Sequence, residues 1–332
     1  MAVHLSKTAF LGQEAIVAGN DDVQMTIIPS WGSNLISLVA KSQRESDIEL
    51  LRVPTTPEEF HAKPALFGDP ILFPPNRIAD GKFMFEGRTY QFKISDPKLN
   101  NHQHGFVQDR PWRLVRHETM GGKVRIITQF DSAEFAEVMQ QFAHHFTIDM
   151  EYLLDGSTIT KTATITNLSD QAFPWGLGYH TTFRFPIAAG GSLDHCTFAL
   201  SAKKHWQLSE RMLPTGILQD LDNFPDLETG MKLTGIMLDD AFLADKVDGG
   251  NRAVMYDEDL DLKITYSCDD HFTQWVIYNA DGTRGFLCPE PYTWITNAPN
   301  LDLPASLTGL KVLQPGEKCA VKTILHIERA GE

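Results

Sequence analysis

The sequence predicts an all-β protein of antiparallel sheets packed face to face, with a few short helices. Three observations predict it. Apolar and polar residues alternate at period two from one end of the chain to the other, turn-forming residues punctuate the alternation at short intervals, and helical periodicity is scarce. In order along the chain, Val23, Met25 and Ile27 alternate with Gln24 and Thr26, the pattern of a strand with one wet face. Pro57 to Lys63 has the composition of a short helix. Ser132 to Gln140 reads as a second, capped by Asp131 or Ser132. Phe146, Ile148, Met150, Tyr152 and Leu154 alternate with Thr147, Asp149 and Glu151. Threonines then occupy every second position from Thr158 to Thr166, a β-branched face suited to a broad sheet. Leu260, Leu262, Ile264 and Tyr266 alternate with Asp261, Lys263 and Thr265, and Trp275 to Tyr278 and Ala320 to Leu325 read as further strands. Turn signals separate these runs at Asp155-Gly156, Asp248-Gly249-Gly250, Asp281-Gly282 and Pro315-Gly316. No low-complexity linker, internal repeat or composition shift divides the chain, not even at Asn251 onward, so residues 1–332 are expected to form a single domain.

Bulk properties narrow the function. The 332 residues are 42% hydrophobic and 22% charged, enough for a large core. The formal net charge is −14 and the pI near 5.3, without a Lys/Arg cluster, which argues against nucleic acid as a partner. The apolar runs fall short of a membrane span, and Met1 to Gln13 lacks the layout of a signal peptide. Cys196, Cys268, Cys288 and Cys319 are scattered without a CxxC pair, which suits reduced thiols in a cytoplasmic protein rather than a disulfide frame or zinc site.

Five polar segments interrupt the strand pattern. In Leu287-Cys288-Pro289-Glu290-Pro291-Tyr292, two prolines fix their own φ near about −65° and push the preceding residue out of the helical region, so Glu290 is held extended among poor solvators. It is either a surface accident or a general base whose position must not drift. In Phe73 to Phe83, Arg77 follows two prolines and Asn76; it could hold a polyol or carboxylate in a forked hydrogen bond, or make a surface ion pair. In Asn100-Asn101-His102-Gln103-His104-Gly105-Phe106, the two histidines are expected on one face of a strand, with Gly105 allowing close backbone approach. They would be metal ligands as in cupin-like barrels, two polar-face residues, or one catalytic histidine with an orienting neighbour. Gln108 stands where a cupin would place its carboxylate. In Trp175 to Phe183, glycines precede His180 amid aromatics, which fits either a structural histidine or one in a tight pocket. Asp239 and Asp240 precede Phe242, as a turn, a solvated surface or a pair near a ligand. Trp175, Tyr179, Phe183, Trp275 and Trp294 offer flat faces for sugar rings, although core packing is the commoner use of such residues.

Taken in order, these segments resemble the aldose 1-epimerase (galactose mutarotase) family over nearly the whole chain. Asn76-Arg77-Ile78 with Gly81 and Phe83, and Asn101-His102-Gln103-His104-Gly105, are similar to two of its motifs. Gly178-Tyr179-His180 with Phe183, Asp239-Asp240-Ala241-Phe242, and Cys288-Pro289-Glu290-Pro291 with Ala298 and Asn300 are similar to three more. Leu213-Pro214-Thr215-Gly216 and Leu313-Gln314-Pro315-Gly316-Glu317 match two non-catalytic signatures. The chain departs from the best-known members in three places: Phe106 follows Gly105, Thr181-Thr182 follow His180, and Asp240 stands where a histidine is usual.

The resemblance implies a large twisted antiparallel β-sandwich, the galactose mutarotase-like supersandwich, with a sugar in an open cleft. It implies Glu290 as base, His180 as acid and His104 as a second contact at the ring oxygen. Arg77, Asn76, Asp239 and His102 would bind substrate, a small aldohexose such as galactose or glucose, with no metal and no cofactor, in a monomer or homodimer. Three rivals remain at this stage. A hexose-6-phosphate epimerase needs extra cations, for which Arg88, Arg110 and Arg113 are candidates. A cupin-like enzyme needs a metal. A sugar-binding or sensing protein needs no acid–base pair.

Overall fold

A computed structural model describes residues 2–41, 46–245 and 250–329. Every strand pair in it is antiparallel, and the helices are three short pieces, Pro57–Ala62, Ala136–Gln141 and Ala305–Thr308, with five 3₁₀ turns. The expected all-β sandwich is therefore what the chain forms. One eight-stranded sheet runs in the order Arg113–Met120, Lys123–Asp131, Phe146–Asp155, Thr158–Asn167, Lys318–Arg329, Leu262–Cys268, Asn251–Asp257, Cys196–Leu200. A second runs Pro214–Gln219, Ala202–Leu208, Asp239–Ala244, Gln274–Tyr278, Phe286–Tyr292, Gly178–Tyr179, Ile71–Leu72, with Phe183–Arg184 also pairing to Phe286–Tyr292. A five-stranded sheet holds the N-terminal segment from His4–Phe10 to Ile48–Glu49. Strands after Asn251 pair with earlier ones in both large sheets, so the chain beyond that point is woven into the rest.

The period-two pattern explains the packing. In Thr158–Asn167, Thr158, Thr160, Thr162 and Thr164 are half-buried on the outer face, while Ile159, Lys161, Ala163 and Ile165 point inward and are buried. A continuous apolar cluster from Ile16 to Ile327 fills the interior. Burial of such side chains contributes about 1.5–3 kcal/mol each, so this cluster is the principal stabilising element.

Several element boundaries moved. The first helix is capped by Thr56, whose side chain accepts from the Glu59 amide. The second breaks in two, a 3₁₀ turn at Ser132–Glu134 capped by Asp131 and a helix at Ala136–Gln141. Between them Phe135 stays extended, its ring stacked on Phe130 at 5.0 Å. Leu260 lies in a turn rather than a strand, because Asp261 takes a left-handed φ of 44° and the strand begins at Leu262. Turns occur at Asp155-Gly156, Asp281-Gly282 and Pro315-Gly316; of the fourth signal, Asp248 and Gly249 lie outside the described residues.

Candidate active site

The strand Phe286–Tyr292 crosses the middle of the second sheet. On one flank it pairs with Gln274–Tyr278 throughout, Glu290 opposite Val276. On the other flank it pairs only at Tyr292, with Gly178, and at Leu287 and Phe286, with Phe183 and Arg184. The interruption spans residues 288–291. Pro289 and Pro291 fall inside it, where their missing N–H groups leave no ladder bond unmade. His180 enters the same gap and brings Nε2 to 3.2 Å from the Glu290 carboxylate. Gly178 is needed beside it, since a Cβ there would stand 2.2 Å from the Tyr292 ring.

The open cleft above this pair has a volume of about 490 Å³. Val276, Tyr278, Asp239 and Glu290 line it from the sheet, and residues 62–66 form a lip. Asn76, Arg77, Gln103 and His104 come from the small two-stranded ladder of Arg77–Ala79 with Asn101–Gln103. The His104 amide donates to the Asn76 carbonyl at 2.9 Å, joining two motif segments. Asn297 joins a third: its side chain accepts from the Ala79 amide at 3.0 Å and its amide donates to the Arg77 carbonyl at 2.9 Å. Asn76, His104 and Asn297 all take left-handed φ values, 54°, 65° and 63°, a conformation that non-glycine residues rarely hold.

That turn at His104 corrects the expectation that His102 and His104 share a face. His102 keeps its strand position and points into the core, packed against Phe92 and Phe106, with Nδ1 at 2.8 Å from the Lys93 carbonyl. It does not line the cleft. His104 swings the other way, 5.3 Å from the His180 ring and perpendicular to it. Gly105 permits the swing: it has φ 72°, and a Cβ there would meet the Phe73 carbonyl at 2.1 Å. Phe106 follows as a buried core ring, edge-on to Phe92 at 4.8 Å. The cleft thus gathers six of the seven predicted residues, Glu290, His180, His104, Arg77, Asn76 and Asp239, and leaves out His102.

Burial favours the neutral form of both groups at the cleft floor. Glu290 is 2% exposed, and burial pushes its pKa well above the usual carboxylate range; Asp239 pushes the same way, while the Tyr292 hydroxyl and Arg77 pull against it. Tyr292 donates to Glu290 Oε2 and in turn accepts from Asn76 at 3.4 Å. Burial lowers His180 to about 4, aided by Arg77 and opposed by a backbone hydrogen bond. His104 is held well below its ordinary value, first by burial and then by His180, Arg77 and His102. Asp239 is raised by burial and by Asp240, and opposed by Arg77. Asp240 itself points to the opposite face and holds His205 Nε2 at 2.8 Å. The Arg77 guanidinium reaches Asp96 at 3.5 Å and Asn76 at 3.3 Å. His104 Nδ1, His180 Nδ1 and Gln108 Oε1, all on cleft-lining residues, are buried without a hydrogen-bond partner. Unsatisfied buried polar atoms are rare in folded proteins, and three of the six such side-chain atoms among the described residues belong to residues that line the cleft.

Several contributors escaped the sequence reading. Tyr292 and Tyr278 follow from alternation, since residues 288, 290 and 292 share a face and Tyr278 lies across from Cys288. Asp96, Ser95 and the lip residues 62–66 carry no such signal. The five aromatics offered as sugar platforms are all core: each is 2% exposed or less, and none lines the cleft. A metal would find His180, Cys288 and Glu290 with donor atoms within 4.8 Å of one another. However, burial raises the Cys288 thiol well above its ordinary value, as it does the Glu290 carboxyl, and a metal ligand must be deprotonated. The set therefore suits proton transfer better than ion capture.

The family model described as Aldose 1-epimerase matches residues 14–326 of the chain. Among solved structures, a galactose mutarotase-like protein from Clostridium acetobutylicum is similar at 28% identity and a TM-score of 0.93, over 98% of this chain and 99% of that one. An aldose epimerase homologue from C. elegans shares the fold at 16% identity and a TM-score of 0.74, over 99% of each chain. Protein LacX of Lactococcus lactis subsp. lactis is 22% identical over 200 residues, 59% of this chain and 64% of the relative. The matched stretch thus spans less than two thirds of that curated relative's length.

Proposed function

The chain belongs to the aldose 1-epimerase family, and on that premise we propose that it interconverts the α and β anomers of a hexose by acid–base ring opening. The observation that carries this reading is the buried His180–Glu290 contact of 3.2 Å at the floor of the cleft. Burial favours the neutral form of each partner, a protonated Glu290 and an unprotonated His180. Moving one proton across the contact gives carboxylate and imidazolium, a base and an acid side by side.

Glu290 takes the proton of the C1 hydroxyl while His180 protonates the ring oxygen. The bond between C1 and that oxygen breaks, the C1–C2 bond rotates, and the aldehyde closes on its other face with the two proton transfers reversed. Nothing is oxidised and no covalent enzyme intermediate forms, so the reaction balances without a cofactor. Positioned proton transfer of this kind contributes about 10²–10⁴-fold per group. Tyr292 and Arg77 help Glu290 reach its ionised form, since both act to lower its pKa. His104, which lines the cleft with its ring 5.3 Å from that of His180, is the second contact at the ring oxygen. Arg77, Asn76 and Asp239 hold the remaining hydroxyls; His102 supports the wall from behind.

A neutral hexose suits the cleft better than a phosphorylated one. Arg88 is bonded to Gln171 at 2.8 Å, Arg110 to Asp109 and Glu137, and Arg113 lies near Glu134. None of the three lines the cleft, whose cations are Arg77, already engaged, and Lys63 on the lip. Four unpaired cysteines fit a reducing compartment such as the cytoplasm. The test is two-dimensional exchange NMR on free and phosphorylated aldohexoses. Exchange cross-peaks growing faster than the spontaneous rate are expected for a free hexose; binding without faster exchange for every sugar would leave a sensor instead.

A further inference from the structure

Lys161 is the one lysine or arginine among the buried residues described, and it stands where the alternation of its strand calls for an apolar side chain. Its ammonium donates to Asp69 Oδ2 and, at 2.9 Å, to the Tyr266 hydroxyl; it also lies 3.8 Å from the centre of the Tyr179 ring. Asp69 is 1% exposed. Its other oxygen, Oδ1, accepts from the Thr181 hydroxyl at 2.7 Å, and its amide donates to Asn34 Oδ1 at 2.8 Å.

Thr181 directly follows His180. On either side of Asp69 the backbone repeats the link: the His180 amide donates to the Pro70 carbonyl at 3.2 Å, and the Thr182 amide to the Gly68 carbonyl at 2.9 Å. One carboxylate therefore faces a fixed cation with one oxygen and the residue after His180 with the other. A buried ion pair adds little net stability, because desolvation offsets the attraction, but its directional bonds can select one geometry.

We propose that Lys161 and Asp69 are positioning residues for His180: through Thr181 and the paired segments 68–70 and 180–182, they set where its imidazole meets Glu290. The inference rests on His180 being the acid of the proposed reaction. A small displacement of a reacting group can cost about 10²-fold in rate, so the pair affects turnover far more than binding.

The decisive variant is Lys161→Met/Asp69→Leu, which replaces the ion pair with apolar groups. Replacement of this kind is often neutral or stabilising, so a melting temperature near or above the parent's is expected. Its kcat for anomer exchange on glucose or galactose should fall about tenfold or more, with KM within about twofold. Thr181→Val should lower kcat less, and Thr181→Ser should restore it. If the double variant does not fold, the Thr181 variants decide alone. Imidazole ¹H–¹⁵N NMR gives a readout independent of the sugar: the His180 signals should shift in the double variant and in Thr181→Val. Absence of exchange in the parent would sink the proposed reaction while leaving this NMR test in force. Parent-like kcat and parent-like His180 signals in the variants would overturn the positioning role.

Discussion

Among the described residues, two contacts of a basic side chain with a carboxylate, Lys161–Asp69 and His180–Glu290, have both side chains buried, and they are dressed differently. In the core of the broad sheet, Lys161 and Asp69 are surrounded by Tyr266, Thr181 and Asn34, and every polar atom there has a partner. At the cleft floor, His180 and Glu290 touch at 3.2 Å, Tyr292 supplies one more bond, and Nδ1 atoms of His180 and His104 have none. A fully satisfied pair holds its charges in place. An under-satisfied pair at a cleft floor is the one the proposed reaction would use to move a proton.

The comparison can be broken first at the cleft. Glu290→Gln should slow anomer exchange by about 10²–10⁴-fold, measured by exchange NMR, while the melting temperature stays within a few degrees; near-parental exchange would remove the base from this position. The core pair should show the opposite division. Lys161→Met alone leaves Asp69 buried without its cation and should cost about 3–5 kcal/mol in denaturant unfolding; a loss below about 1 kcal/mol would mean that water or relaxation compensates the carboxylate.

The pH profile sharpens the cleft half. Below about 4, His180 gains a proton while Glu290 keeps its own, so the pair has no base. Above the raised pKa of Glu290, neither group holds the proton, so the pair has no acid. The rate should therefore be bell-shaped, falling up to about tenfold per pH unit beyond each limb, with apparent pKa values that belong to the pair. An alkaline limb in the ordinary carboxylate range would contradict the burial of Glu290. A smaller effect is expected at the rim: Asp239→Asn should raise KM by about tenfold, a charged hydrogen bond being worth about 1.5–3 kcal/mol, with kcat less affected. The smallest is at His102. His102→Phe should leave exchange within about twofold and lower the melting temperature only slightly, since its ring packs on Phe92 and Phe106 away from the cleft; a large loss of kcat would put it back in the site.

Much of this architecture was legible from alternation. The strand Phe146–Asp155 and the threonine face of Thr158–Asn167 follow from period two alone, because burial on one face is what that period encodes. Glu290 was legible from its prolines, whose stiffness does not depend on the rest of the fold. His102 and His104 were assigned to one face by the same rule, and it failed because His104 leaves the strand with φ 65°, just before Gly105 passes too close to the Phe73 carbonyl for a Cβ. Arg77 could be read as a fork but not matched to Asp96, and no local signal ties Lys161 to Asp69. Those pairings depend on which distant segments meet, and nothing local to either residue encodes that.

The placement of the site across sheet and turns has a consequence for divergence. The Glu290 carboxylate sits mid-strand, between two prolines and with a ladder on one side, whereas Asn76, Arg77, Gln103 and His104 sit at or beside the ends of a three-residue ladder, and residues 62–66 sit on a lip. Substitutions that change which hydroxyls are read can accumulate in the turns without displacing the carboxylate. Under the proposed reaction, sugar preference and ring-opening chemistry are then separable traits of one scaffold, free to drift at different speeds.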